Sequence, residues 1–304
     1  MKKTGYANTI ADCNHLPQTN LPELAVAPQD DETGEQLWPH LCQEMRAANL
    51  VWEQIAPRKV KLAVLRLDLL NTLYTLPGFE AALRSQRILH QAELKRLFSF
   101  PQGKRRLEWL GGRLAAKFAL QCYCFPPARE IKFEPAKVTI SNDSHGRPFL
   151  NWVGVSPWCY PQVPFLSITH SGRFAAAMVA NTPCGLDLQE IVDKLQRLQT
   201  RFASPAEMAL GSTYDELIWL GMLWVAKEAV KKCCYADQPT FMDRIQVVGH
   251  KKVTHASCDA GTQFAILSCC LTDAAAVVMP VQVAVAQGYA MALVIDADDG
   301  GLHA

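Results

Sequence analysis

The sequence has almost no net charge and no long apolar run without interruptions. Thirty Lys and Arg against 29 Asp and Glu leave +1, so no global positive field favours nonspecific nucleic-acid binding, and any polyanion must meet a local patch. The N-terminus has no apolar stretch of signal-peptide length. The one long apolar region, 274–295, contains Pro280, Gln282 and Gly288, which favours two buried strands around a turn over a membrane helix. We therefore predict a cytoplasmic protein that binds neither nucleic acid nor membrane.

Several reactive motifs are also absent. The 11 cysteines contain no C-x-x-C spacing of the kind that zinc and redox sites use, which predicts scattered reduced thiols. No Gly-x-Ser-x-Gly or Cys–His arrangement supports a hydrolase, and no P-loop is present. The 304 residues are 49% hydrophobic and 19% charged, so the chain is long and apolar enough to bury a real core.

The first part of the chain differs from the rest in composition. Residues 1–58 carry eight acids and four bases, and the first 35 show no apolar period. This pattern predicts an N-terminal extension over 1–58 that is partly disordered. The partly alternating, β-rich stretch 60–67 then predicts the first strand and the start of the globular part near Val60.

A basic helical stretch follows. The stretch from Arg84 to Lys117 contains nine basic and two acidic residues. In its later part, apolar residues recur at three- and four-residue steps, which predicts the buried face of an amphipathic helix: Leu107, Leu110, Leu114 and Phe118. Arg105 and Arg113 are eight residues apart, or about 80° around a helix, and could address one elongated anion. The alternative is a solvated basic face.

Strand patterns then dominate. Short apolar or alternating runs bounded by turn residues predict antiparallel strands at 137–140, 164–169, 174–180, 264–271 and 289–295.

The chain also repeats itself. A shift of 110 residues places Trp109-Leu110-Gly111 on Trp219-Leu220-Gly221 and Lys117 on Lys227, and Ala92-Glu93 has a counterpart in Ala206-Glu207. We predict an α+β fold of two similar tandem α/β subdomains, each a long helix packed on a small, mostly antiparallel sheet. The predicted halves are 59–183 and 184–304.

Three clusters could carry chemistry, and each has a structural alternative. Asp187 and Gln189 share one face of a strand, where an acid is either a satisfied structural group or a ligand for a hard cation. Glu228 and Lys231 lie three residues apart on a helix, close enough to form a surface salt bridge. His170-Ser171 follows an apolar strand, where a histidine is more often a hydrogen-bonded turn residue than a ligand.

Taken in order, six motifs resemble one family, the 4′-phosphopantetheinyl transferases of the two-halved, pseudo-dimeric Sfp/EntD-like type. The resemblance covers about residues 60–295. The motifs are Arg105-x-x-Glu108-x-Leu110-x-Gly112-Arg113, Gly146-Arg147-Pro148, Ser167-Ile168-Thr169-His170-Ser171, Gly185-Leu186-Asp187, Phe202-Ala203-Ser204-x-x-Glu207 and Trp224-x-x-Lys227-Glu228-Ala229-x-x-Lys231.

The resemblance implies transfer of the 4′-phosphopantetheine group of coenzyme A to a serine of an apo acyl or peptidyl carrier protein, releasing 3′,5′-ADP, by a monomeric enzyme. It implies Mg²⁺, with Mn²⁺ as the alternative, held by Asp187 and Glu228. Many members have a second acid where this chain has Gln189, which is therefore a candidate ligand without charge. Glu190 is out of phase on the strand and is a poor substitute.

The resemblance also implies the remaining roles. Glu228 would take the proton of the carrier serine, with Asp187 and Lys231 as the other catalytic residues. The residues expected to bind coenzyme A are Arg105, Arg113, His145, His170, Ser171, Lys227 and Lys231. Lys227 and Lys231 would face the pyrophosphate.

Two other functions remain open from the sequence. A degenerate homologue could bind coenzyme A or a carrier protein without transfer. Gln189, in place of the second acid, would then be the sign of the lost activity. A phosphate- or nucleic-acid-binding protein could use the basic helix, although the overall charge argues against it.

Overall fold

The computed structural model describes residues 37–50, 52–57, 59–101, 103–124, 133–154, 163–235, 244–254, 261–272 and 277–296. The predicted disordered tail over the first 35 residues lies outside these ranges. The elements of the N-terminal half are, in chain order, α1 (Leu37–Asn49), β1 (Lys61–Arg66), α2 (Leu67–Tyr74), α3 (Phe79–Ser85), α4 (Gln91–Ser99), α5 (Lys104–Cys124), β2 (Val138–Asn142), β3 (Pro148–Trp152), β4 (Phe165–Ser171) and β5 (Phe174–Ala180).

The C-terminal half follows after a short turn. Its elements are β6 (Cys184–Glu190), α6 (Lys194–Leu198), α7 (Pro205–Leu210), α8 (Glu216–Cys234), β7 (Ile245–Val253), β8 (Gln263–Leu271), β9 (Val278–Ala286) and β10 (Tyr289–Ile295). The region 274–295 thus holds two strands, as predicted, within the described residues.

Every sheet is antiparallel. The N-terminal half has the sheet β1-β5-β4 and the hairpin β2-β3, and the C-terminal half has the sheet β6-β10-β9-β8-β7. Helix α5 packs on the first sheet and α8 on the second, and each covers a core of its own. The predicted α+β fold of two tandem halves, each with a long helix on an antiparallel sheet, is confirmed.

The repeat has a structural cause in both halves. The buried Lys117 ammonium lies 2.8 Å from Glu93 Oε2, and the buried Lys227 ammonium lies 2.7 Å from Glu207 Oε1. Each glutamate also caps its own helix and accepts a backbone N–H from a strand of its half, from Ile140 in one case and from Val247 (2.8 Å) in the other. The sequence repeat therefore corresponds to the same buried lysine–glutamate ion pair in each half.

Two sequence predictions need correction. The globular part begins before Val60, because the Leu41 and Met45 side chains of α1 are buried in the first core and the Asn49 amide hydrogen-bonds to β1. The basic stretch 84–117 is also not one helix. It is divided into α3, α4 and α5, and Gly103, with φ +120°, precedes α5 in a conformation that favours glycine.

The two halves are joined in two ways. Their sheets share a third core, in which β5 side chains such as Phe174 and Met178 meet Leu186 and Leu188 of β6. Beside it, three hydroxyls of β4 accept the N–H groups along the edge of β6: Ser167 from Leu186 at 3.0 Å, Thr169 from Leu188 at 3.3 Å and Ser171 from Glu190 at 3.0 Å. We call these three side chains the hydroxyl ladder. It fixes β4 against the strand that carries Asp187.

Candidate active site

Strand β6 and helix α8 approach each other at Gly185. A Cβ atom at this position would lie 1.8 Å from the Ala229 carbonyl oxygen, so only glycine permits this contact. Asp187 is two residues further along the same face of β6, while Leu186 and Leu188 point into the third core. The close crossing therefore brings the buried Asp187 carboxylate to the face of α8.

The Asp187 carboxylate has two partners. Its Oδ1 accepts a hydrogen bond from the Thr169 hydroxyl at 3.0 Å and lies 2.7 Å from the Lys232 ammonium, which also donates to the Leu186 carbonyl at 2.9 Å. Because the Thr169 hydroxyl accepts the Leu188 N–H as well, the side chain of Asp187 is oriented by the hydroxyl ladder. The acid is held in one place by a neutral donor and a cation.

Glu228 lies on α8 within electrostatic range of Asp187. Burial raises the pKa of Glu228, the Asp187 charge raises it further, and Lys231 and Lys232 act in the opposite direction. The Asp187 charge therefore reaches Glu228 across the crossing of β6 and α8, one acid on the strand and one on the helix. Carboxylate oxygens are the ligands that a hard divalent cation prefers.

The two lysines that follow Glu228 differ in position. Lys231 Nζ lies 3.7 Å from Glu228 Oε2, which confirms the salt bridge expected from their spacing. Lys232 instead contacts Asp187 and was missed in the sequence analysis. Its position four residues after Glu228, on the same helix face, was the available signal.

Lys227 does not lie where the sequence analysis placed it. Its side chain is 2% exposed, pairs with Glu207 and donates to the Phe202 carbonyl at 2.6 Å. The Lys227 ammonium is therefore part of the buried core of the C-terminal half. This corrects the expectation that Lys227 faces a pyrophosphate. The helix period could not tell this buried position from an exposed one.

His170 lies at the boundary between the halves. Its Nδ1 is 3.6 Å from Glu108 Oε1 of α5. Burial lowers the pKa of His170, Glu108 and Asp187 oppose that shift, and Lys232 and Lys104 reinforce it. The charges that act on the imidazole thus come from both halves of the chain.

Arg113 and Arg105 have different environments on α5. Arg113 is buried, its Nη2 donates to Asn142 Oδ1 at 2.7 Å, and its guanidinium carbon lies 4.8 Å from the Trp109 ring centroid. Burial lowers its pKa to about 10, and no acceptor among the described residues contacts its Nε. Arg105 is exposed and stacks over the Phe100 ring at 5.7 Å. The unsatisfied Nε makes Arg113 the stronger candidate of the two for a bound anion.

The β2–β3 turn connects α5 with α8. The Asn142 amide donates to the Gly146 carbonyl at 2.6 Å, and Asp143 Oδ1 accepts the N–H groups of His145 and Arg147. The His145 side chain is exposed, whereas Arg147 Nη2 donates to the Cys233 carbonyl of α8 at 3.2 Å. Arg147, which is part of the Gly146-Arg147-Pro148 motif, therefore links the β2–β3 turn to the C-terminal end of α8.

The remaining candidates lie on β4 and β6. The Ser171 hydroxyl already accepts the Glu190 N–H, and the Gln189 side-chain amide donates to the Glu190 carbonyl at 2.8 Å. The Glu190 carboxylate lies against Gly172, where a Cβ atom would come within 2.6 Å of its Oε2. Glu190 is therefore out of phase with Asp187, as the strand alternation predicted.

Asp187 and Glu228 are the candidate carboxylate ligands for a divalent cation, and Gln189 lies on the same face of β6 as Asp187. Among the described residues no three or more His, Cys, Asp and Glu side chains could share a metal ion. An octahedral Mg²⁺ ion with few protein ligands keeps positions for water and for substrate phosphate oxygens.

No helix in the described part of the chain is long and apolar enough to cross a membrane.

Comparison of the sequence with known proteins identifies relatives of this chain. No family model matches the chain. The holo-[acyl-carrier-protein] synthase of Bacillus velezensis is 37% identical over 95 residues, which are 31% of this chain and 73% of that protein. The enzyme of the same name from Staphylococcus carnosus is 32% identical over 95 residues, 31% of this chain and 74% of its own.

Solved structures give weaker likenesses. The ACPS–CoA complex of Chronobacterium ammoniagenes matches with a TM-score of 0.33 and 20% identity over 40% of this chain and 93% of its own. The Helicobacter pylori holo-[acyl-carrier-protein] synthase in complex with coenzyme A matches with a TM-score of 0.33 and 15% identity, over 40% and 97%. On the strength of the sequence relatives, the chain belongs to the holo-[acyl-carrier-protein] synthases of the 4′-phosphopantetheinyl transferase superfamily.

Proposed function

We propose that this protein transfers the 4′-phosphopantetheine group of coenzyme A to a serine of an apo acyl or peptidyl carrier protein, acting as a monomer in the cytoplasm. The observation that carries the proposal is the close crossing of β6 and α8 at Gly185, which brings the buried Asp187, paired with Lys232, to the helix that carries Glu228. The relatives named holo-[acyl-carrier-protein] synthase support the same reaction.

Asp187 and Glu228 would hold Mg²⁺, or Mn²⁺ in its place, and Gln189 would add an amide oxygen at most. When bound, the ion neutralises charge on the pyrophosphate of coenzyme A. Lys232 and Lys231 add positive charge on the same side of α8, and Lys232 is held against Asp187 before any ligand arrives. Such fixed charges favour phosphoryl transfer because the chain does not reorganise as charge develops.

The reaction requires one proton acceptor. The carrier serine oxygen forms a bond to the phosphorus next to the pantetheine group, and the bond from that phosphorus to the bridging oxygen of 3′,5′-ADP breaks. Glu228 would accept the serine proton, directly or through water. Burial and the Asp187 charge raise the pKa of Glu228, and a bound cation would oppose that shift.

Coenzyme A would lie across the boundary between the halves. Arg113, with its unsatisfied Nε, and His170 would bind phosphate groups, and Arg147 would contact the same molecule from the β2–β3 turn. Ser171 can still donate its hydroxyl proton while accepting the Glu190 N–H. Arg105 and His145, both exposed, are the proposed outer contacts.

The direct test is the mass of a carrier protein. Incubation of the full chain with coenzyme A, Mg²⁺ and a panel of apo carriers should add the phosphopantetheine mass to at least one carrier. The increase should disappear when coenzyme A is omitted or Mg²⁺ is chelated. An increase that persists in chelator would contradict the metal site but not the transfer.

Gln189 motivates the alternative, a homologue that binds coenzyme A or a carrier without transfer. Calorimetric binding of coenzyme A together with an unchanged mass for every carrier would favour that alternative. Comparing the wild type with Gln189→Glu in both measurements tests whether the missing charge is the reason.

We expect Thr169 to be a positioning residue for Asp187. Thr169→Val keeps the side-chain shape but removes the hydroxyl that donates to Asp187 Oδ1. Loss of such an outer hydrogen bond should weaken metal binding about 10-fold. The measurement is Mn²⁺ binding followed by electron paramagnetic resonance, without coenzyme A or carrier.

Ser167→Ala is the matched control, because Ser167 belongs to the hydroxyl ladder and accepts only the Leu186 N–H among its recorded contacts. It should leave Mn²⁺ affinity close to that of the wild type. Equal losses in both variants would show that Thr169 acts only by joining the two sheets.

A further inference from the structure

A basic groove between α3 and α4 has no part in the proposed reaction. It encloses about 510 Å³ and is lined by Arg84, Lys95, Phe98, His90 and neighbouring residues of α4. The Arg84 guanidinium carbon lies 4.7 Å from the Phe98 ring centroid, so the cation is already oriented over an apolar floor. The groove therefore combines oriented positive charge with apolar surface.

The cations around the groove have no acidic partner among the residues that the structure describes. Arg84, Arg87, Lys95 and Arg96 are exposed, and within the described part of the chain none is within salt-bridge distance of a carboxylate. The two nearest acids in the sequence have other partners. Glu93 is buried and forms an ion pair with Lys117. Glu80 accepts a hydrogen bond from the Tyr74 hydroxyl.

The chain itself supplies the opposite charge. Residues 23–35, outside the described ranges, contain Glu23, Asp30, Asp31, Glu32 and Glu35 and no base, which is a charge of −5. No Lys or Arg occurs between Lys3 and Arg46. The interval 4–45 therefore carries acidic charge only.

The described chain begins beside the groove. The backbone N–H of Trp38, at the start of α1, donates to Gln86 Oε1 at 3.1 Å, and Gln86 is two residues from Arg84 and adjacent to Arg87. Six extended residues, such as 30–35, span about 20 Å. The start of α1, to which the acidic stretch is joined, therefore lies within about 20 Å of chain length from that stretch.

We propose that the acidic segment 23–35 of the same chain occupies this groove, with its carboxylates against Arg84, Arg87 and Lys95. A single exposed ion pair contributes little. The short tether to α1, however, holds the segment at an effective concentration in the millimolar range, so several weak contacts are sufficient. The groove is then an intramolecular docking surface, independent of whether the protein transfers phosphopantetheine.

Zero-length carbodiimide cross-linking of the full chain tests the proposal. Because residues 4–45 contain no tryptic site, the whole acidic segment stays in one peptide, and its link to the Lys95 peptide is identified by mass. We expect the yield at Lys95 to exceed the yield at the exposed Lys251, on the other half, by about fivefold, and to fall in about 0.5 M NaCl.

Charge variants make the test specific. Arg84→Glu combined with Arg87→Glu should lower the Lys95 yield about fivefold. Arg84→Lys with Arg87→Lys should retain the total yield of links between the segment 23–35 and residues 84–95, because the two new amines can react as well. Both positions are exposed, and circular dichroism checks that each variant is folded. Equal yields at Lys95 and Lys251, or no response to charge reversal, would overturn the proposal.

The other occupants are outcomes of the same experiment. In a mixture of isotopically heavy and light chains, cross-links between unlike chains would show that a second copy fills the groove. Links from Lys95 to an added acidic apo carrier at the expense of the segment 23–35 would show that the groove receives a partner protein. Either result would overturn the intramolecular contact.

Discussion

Replacing Glu228 with glutamine should reduce the rate of phosphopantetheine transfer about 10³-fold, because it removes a charged metal ligand and the proposed base while keeping the shape of the side chain. The rate is measured by carrier mass under saturating coenzyme A and Mg²⁺. Asp187→Asn should have an effect of the same order. Full activity in either variant would remove the proposed metal site.

The same substitution should stabilise the protein in the absence of metal. Burial and the Asp187 charge raise the pKa of Glu228 in the folded state above that of the unfolded chain. A carboxyl group with a raised pKa lowers stability as the pH rises from its unfolded-state pKa to its folded-state pKa, because the unfolded chain ionises more easily, and the full penalty is present above the folded-state pKa. At neutral pH the neutral glutamine removes that penalty, and the melting temperature without metal should rise.

Glu216→Gln, on the first turn of the same helix, is the control. Glu216 is exposed and far along α8 from Asp187, so its replacement should leave the transfer rate unchanged and should not raise the melting temperature. A Glu228→Gln variant that loses activity and also stability would indicate misfolding. Loss of activity with gain of stability is the signature expected of a site that concentrates negative charge.

The overall architecture could be predicted from the sequence because it follows from periodicities. Alternation in β6 correctly placed Asp187 with Gln189 and excluded Glu190. The 110-residue repeat correctly predicted two halves with equivalent long helices. Local pattern and internal similarity were sufficient where the answer depends only on which face of an element a residue occupies.

Burial and the choice between neighbouring residues could not be predicted in this way. Lys227 and Lys232 are both lysines on one amphipathic helix, yet one pairs with Glu207 in the core and the other with Asp187 at the site. The difference depends on which element packs on each face of α8, and that is set by tertiary contacts. The close approach of β6 and α8 at Gly185 is likewise a property of two distant segments.

The repeat nevertheless contained information about Lys227. Lys117 and Lys227 are equivalent under the shift, and each half also repeats Ala-Glu at 92–93 and 206–207. A coenzyme A contact would be needed in one half only, whereas an internal ion pair is needed in both. The paired recurrence of a lysine and a glutamate thus indicated a structural role.

Glu207→Gln should destabilise the folded protein by about 3 to 5 kcal/mol, because it leaves the Lys227 ammonium buried without its counter-charge. The amide would also keep only part of the bonding of the carboxylate to the Ser204 and Val247 N–H groups. The measurement is the free energy of unfolding in urea. For a domain with about 5 to 15 kcal/mol of total stability, such a loss is large.

Lys227→Met should cost a similar amount by leaving Glu207 buried and unpaired, and the double variant should cost less than the two single changes together. The equivalent variants Glu93→Gln and Lys117→Met should reproduce this pattern in the other half, where burial lowers the pKa of Lys117 and the Glu93 charge opposes the shift. A Lys227→Met variant with wild-type stability and a lower affinity for coenzyme A would instead place that ammonium at the pyrophosphate. The stability of this one variant therefore decides between the core role seen in the structure and the substrate role expected from the sequence.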